Sequence, residues 1–143
     1  MNTPIWAEEL IQEAIEYRGS KIKPVINWTE KDRTYTTGTA RTPLKKGKEY
    51  IYKNRKVHCV KGCRAKISIT AGTDMEDLKE GILHEVAHIL SPPYTHHDRS
   101  FYRIAWDLFN HFELDLEKCL GREGRYKNIA KVEFNYLRKE GKL

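Results

Sequence analysis

Cysteine is scarce in this chain. Cys59, Cys63 and Cys119 are the whole supply in 143 residues, too few for a disulfide framework, so a reducing, intracellular setting (cytoplasm, nucleoid or nucleus) is expected. Long apolar runs are missing as well. Nothing approaches the roughly 18 residues that mark a membrane span, and no membrane partner is expected. The opening Met1-Asn2-Thr3-Pro4-Ile5-Trp6 lacks a charged n-region followed by an apolar h-region, so secretion through a signal peptide is not expected either. Internal repeats and Gly-, Pro- or Ser-rich linkers are absent. The expectation is one domain over 1–143, long enough to bury a core without staples.

What is present is charge, unevenly spread. The net charge is +6, but residues 21–66 carry fourteen Lys or Arg against three acids, a balance of +11. Residues 67–121 carry four against ten, a balance of −6. Trp28, Tyr35, Tyr50 and Tyr52 are interleaved in the basic block. Such a block is often only a solvated face, yet it also matches the electrostatic footprint of a nucleic-acid binder. DNA is therefore a candidate partner of 21–66.

Periodicity divides the chain into helices and strands. Ile5, Trp6, Leu10, Ile11, Ala14, Ile15 and Tyr17 form a helical stripe, with Thr3 as expected cap and Pro4 in the first turn. From Lys21 to Ala71 the texture turns to short β-branched and aromatic segments: 25–28, 34–37, 49–52, 56–59 and 65–70, with Gly38 read as a turn residue. Thr73 with Glu76 suggests a capping box before the apolar positions Met75, Leu78, Ile82, Val86 and Ile89, and Ser91-Pro92-Pro93 must end that helix. Asp98 or Ser100 can cap another, running from Phe101 as far as Leu120 with Gly121 as its stop. The tail from Arg122 leans to helix. The fold expected is α+β: an N-terminal helix, a small mainly antiparallel sheet of three or four strands within about 21–71, a helix over about 74–90, then helices within about 99–143.

Within the second of these helices, His84-Glu85-Val86-Ala87-His88 carries the chemistry. Residues four apart share a helix face, so His84 and His88 can offer two imidazole nitrogens to one metal ion. Glu85 is then placed to take a proton from an activated water. A hydrolytic zinc site needs a third protein ligand. His97 is favoured because its chain enters the next helix at once, with His96 as the alternative and Glu113, from a later helix, as a more distant one. His58 with Cys59 and Cys63 has poor spacing for a second metal site. Tyr94 and Tyr102 are near enough in sequence to be weighed as oxyanion donors.

The run from Ile67–Thr70 through HEVAH to His97-Asp98-Arg99-Ser100-Phe101 resembles the SprT-like (Spartan) metallopeptidases and the related WLM peptidases. The likeness covers roughly residues 34–112, with Asp98 standing where a Gly commonly follows the third histidine. It implies a zincin-like fold, Zn2+ held by His84, His88 and His97, Glu85 as general base, and a protein or peptide substrate, including proteins bound to DNA. It also implies that the strand ending near Thr70 pairs with the extended substrate. The competing reading is a basic nucleic-acid-binding module whose zinc site is structural or vestigial.

Overall fold

Alternation decides the central strand. In Lys66–Ala71 the residues Ile67, Ile69 and Ala71 are buried while Lys66, Ser68 and Thr70 are only partly covered. A computed structural model, describing residues 2–126 and 128–143, orders the elements as α1 (Ile5–Tyr17), β1 (Val25–Glu30), β2 (Thr37–Arg41), β3 (Glu49–Tyr52), β4 (Arg55–His58), β5 (Lys66–Ala71), α2 (Met75–Leu90), α3 (Arg99–His111), α4 (Leu116–Glu123) and α5 (Ile129–Lys139). The molecule is α+β as expected. β5 lies in the middle of a three-stranded sheet, parallel to β1 (Trp28 opposite Ile69) and antiparallel to β2 (Gly38 opposite Ile69). β3 and β4 form a separate antiparallel hairpin, so the basic strands divide between two sheets rather than sharing one.

Three expected boundaries move. Thr34–Thr37 is not a strand; the strand begins at Thr37 and includes Gly38. The preceding segment is instead stitched to the start of α2. Thr73 N–H donates to the Arg33 carbonyl at 2.7 Å, Asp74 N–H to that of Thr34 at 3.1 Å, and Thr36 N–H to the Asp77 carboxylate at 2.7 Å. Gly72 permits this approach, because a Cβ there would lie 2.3 Å from the Tyr35 carbonyl oxygen. With Thr73 so engaged, Asp74 is the cap of α2, accepting from Asp77 N–H at 3.1 Å. Glu76 reaches instead to the N–H of Asp115 at 2.9 Å. At the first helix Pro4, not Thr3, occupies the cap position, and no side chain bonds there.

The helix expected to run from Phe101 to Leu120 is two helices. Phe112 ends α3, Glu113 turns left-handed (φ 60°), and the N–H groups of Glu113 and Leu114 return to the carbonyls of Asn110 and Phe109. That double bond is a Schellman stop, built here without glycine. Asp115 then caps α4, and Gly121 lies inside that helix. The tail is helical, as expected.

α2 rests on the sheet through Leu78, Ile82, Val86 and their neighbours, and α3 packs on α2 from the far side. The core is strongly aromatic: Phe101, Tyr102, Trp106, Phe109 and Phe134 are all buried. α5 is fastened to α3 by Trp106 Nε1, which donates to the Ala130 carbonyl at 2.9 Å. The fully buried Glu133 carboxylate adds to this, accepting from Arg99 Nε at 2.6 Å. Among the described residues no helix is long and apolar enough to cross a membrane.

Candidate metal centre

α2 carries His84 and His88 one turn apart, and the loop after it returns His97 to them. Asp98 pins that return: it accepts from Phe101 N–H at 2.9 Å as the cap of α3 and from Ser100 Oγ at 2.9 Å. His97 Nε2 ends 2.9 Å from His84 Nε2 and 3.0 Å from His88 Nε2. One nitrogen from each ring lies within 4.8 Å of the other two, close enough for all three to hold one metal ion. Packing fixes the rings. Phe101 stacks on His88 at 4.3 Å between centroids, and Tyr126 stacks on His97 at 3.9 Å.

The protonation pattern suits ligation. His84 Nδ1 donates to Glu123 Oε1 at 2.8 Å, which directs the Nε2 lone pair toward the other imidazoles. The Tyr102 hydroxyl donates to the same oxygen at 3.0 Å. Burial pushes His84 and His97 down to about 4 and His88 down to about 3, so all three are neutral near pH 7.

Glu85 is the next residue on the helix and is 6% exposed. Its Oε1 lies 4.0 Å from His84 Nε2, and its buried Oε2 has no partner among the described residues. Burial pushes its carboxyl up to about 8, helped by the nearby Glu123 charge and opposed by Arg125. β2 passes directly over this side chain. A Cβ on Gly38 would sit 3.0 Å from Glu85 Cγ, so any side chain there would press Glu85 aside by a few tenths of an ångström.

A cleft of about 440 Å³ opens at the centre, walled by Gly38, His84, Glu85, Glu123, Arg125 and Tyr126 among others. At its far end Glu80 meets the Glu123 carboxyl. Burial and that neighbour push Glu80 up to about 8, against the pull of Arg122, whose Nε donates to it.

His84, Glu85, His88 and His97 are thus brought together. His96 is exposed and outside the group, and so is Glu113 at the end of α3. Among the described residues no other cluster of this kind occurs, so His58, Cys59 and Cys63 form none. Tyr102 serves Glu123, and Tyr94 packs against Tyr52 of the hairpin at 5.0 Å. Sequence reasoning missed Glu123, Tyr126, Glu80 and Arg125. The only local hint was a polar cluster lying between Gly121 and Tyr126 and following an amphipathic helix.

The expectation for substrate pairing needs correction. β5, which ends near Thr70, is hydrogen-bonded on both sides, while β2 is the terminal strand and lies beside Glu85. Compared with family models, with curated proteins and with solved structures, the chain matches none of them.

Proposed function

We propose that this chain is a zinc-dependent endopeptidase, resembling the SprT-like enzymes, with His84, His88 and His97 as ligands and Glu85 as general base. One observation carries the reading: three imidazole nitrogens converge beside a buried carboxylate oxygen that has no other partner. Two nitrogens on one tetrahedral zinc lie roughly 3.3 Å apart, and the 2.9 and 3.0 Å separations here are within a few tenths of an ångström of that. Three neutral histidines with a carboxylate behind one of them are a donor set suited to zinc. A structural site closes its fourth position with protein, whereas this group offers three ligands and a cleft. That favours catalysis over the nucleic-acid module with a structural zinc.

Zinc, when bound, would bring the pKa of a water toward 7 and polarise the scissile carbonyl. Glu85, whose ionised form the charge of a bound cation would favour, takes the proton as the water oxygen attacks the carbonyl carbon. It then delivers that proton to the departing amine as the C–N bond breaks. An extended substrate would lie along the free edge of β2, whose unpaired backbone groups give affinity with little demand on sequence. Glu123 keeps His84 in the right tautomer throughout. Lys45, Lys48 and Tyr50 border a groove with Pro92 and Pro93 of the His97 loop, which supports DNA-bound proteins as targets.

The test pairs metal analysis with cleavage of casein or histone, with and without single-stranded DNA. The wild type should hold one zinc and cleave. Glu85→Gln should keep the zinc and lose cleavage by at least about a hundredfold, as befits loss of a general base. Full activity in that variant would remove Glu85 from the mechanism.

A further inference from the structure

The charges that line the cleft are nearly all matched. Arg122 donates to Glu80 and lies 3.6 Å from Asp77, and Glu123 accepts from His84 and Tyr102. Glu85 has its own task. Arg125 is the exception: among the described residues it forms no ion pair, although it lines the same cleft as His84 and Glu85.

Arg125 is solvent-exposed, yet its place is defined. Arg125 lies in the connection between α4 and α5, and its guanidinium carbon is 5.1 Å from the centroid of Tyr126. That ring is the one stacked on His97. Arg125 therefore reaches the cleft by way of a residue packed against the metal ligands. A guanidinium keeps its charge at every working pH, and its planar fork matches a carboxylate through two parallel hydrogen bonds. With no ion pair among the described residues, the exposed guanidinium beside the cleft can take an anion from outside.

Building on the peptidase reading, we propose that Arg125 is a specificity residue that receives a substrate carboxylate next to the scissile bond. The carboxylate has two sources: an Asp or Glu side chain flanking that bond, or the free C-terminus of a short peptide. In either case Arg125 fixes the substrate and leaves the bond-breaking to the centre.

The test uses one cleavable peptide with Glu or Gln on either side of the scissile bond, each made as the free acid and as the C-terminal amide. The zinc-loaded full chain should favour one carboxylate-bearing member by at least about tenfold in kcat/KM, the scale of one charge-assisted hydrogen-bonded contact. A preference that follows the side chain identifies the first source, and one abolished by amidation identifies the second. Arg125→Gln should bring that ratio close to one, and Arg125→Lys should retain part of it. A wild type that treats all members alike, or a ratio unchanged in Arg125→Gln, would overturn the proposal. Binding supplies an independent reading. On the Glu85→Gln protein, fluorescence anisotropy should give the same carboxylate preference in Kd, and loss of it on adding Arg125→Gln. A wild type that cleaves no peptide defeats the peptidase reading, and the binding arm still decides for or against Arg125.

Discussion

Removing Glu123 tests whether the metal centre depends on a residue that neither motif contains. Glu123 Oε1 takes hydrogen bonds from His84 Nδ1 at 2.8 Å and from the Tyr102 hydroxyl at 3.0 Å, in a setting where Tyr102 is 0% exposed. Losing the carboxylate behind a metal-binding histidine typically weakens the metal by about 10–100-fold, or roughly 1.4–2.7 kcal/mol. Glu123→Ala also strands two buried donors, at about 1–3 kcal/mol each in folding stability. Glu123→Gln keeps an acceptor oxygen for both and loses only the charge. Zinc affinity should therefore fall in the order wild type, Glu123→Gln, Glu123→Ala. Tyr102→Phe, which leaves the His84 bond in place, should move it by less than about threefold. Competition against a chromogenic chelator at pH 7.5 measures the affinities, and thermal melts in excess chelator isolate the folding term. Wild-type affinity in Glu123→Ala, or a weaker Glu123→Gln than Glu123→Ala, would refute the claim that Glu123 orients His84.

Two other substitutions read separate parts of the centre. His97→Ala should lose bound zinc whereas His96→Ala retains it, because only the former ring meets His84 and His88; zinc counted per chain after gel filtration decides, and the opposite result exchanges their roles. Gly38→Ala forces Glu85 Cγ away from a 3.0 Å contact by several tenths of an ångström. It should keep its zinc while kcat drops about tenfold, a fraction of the hundredfold that follows a 1 Å misplacement; an unchanged kcat would mean Glu85 accommodates the methyl group freely.

The sequence is most informative where contacts are local. The motif helix closes at Leu90 because Pro92 and Pro93 follow, and His97 is fixed by the cap one residue later, both being relations within a few positions. Strand texture likewise found β1, β3, β4 and β5 nearly in place. Long-range relations were another matter. Nothing near Glu123 marks it as the acceptor for an imidazole 39 residues earlier. Thr34–Thr37 looked like a strand because it is β-branched and aromatic, yet the backbone groups of 33–36 are spent on a helix terminus instead. Thr73 resembled a cap because Glu76 stands three residues on, but Asp74 takes that position. The α3 stop was hidden because a Schellman turn usually shows itself by glycine, and here Glu113 adopts the left-handed conformation. The parallel pairing of β1 with β5 cannot be read from either strand alone, since it depends on β2 and the hairpin lying between them in the chain.

The residues that aim the imidazoles come late in the polypeptide. A nascent chain that has emerged only through α3 possesses every proposed ligand and the proposed base, yet lacks the carboxylate behind His84 and the ring against His97. Docking of α5 through Trp106 and Glu133 brings the α4–α5 connection home. On the zinc reading, firm capture of the ion would therefore wait for that connection, and a product cut short before it would carry the whole motif with only a loose grip.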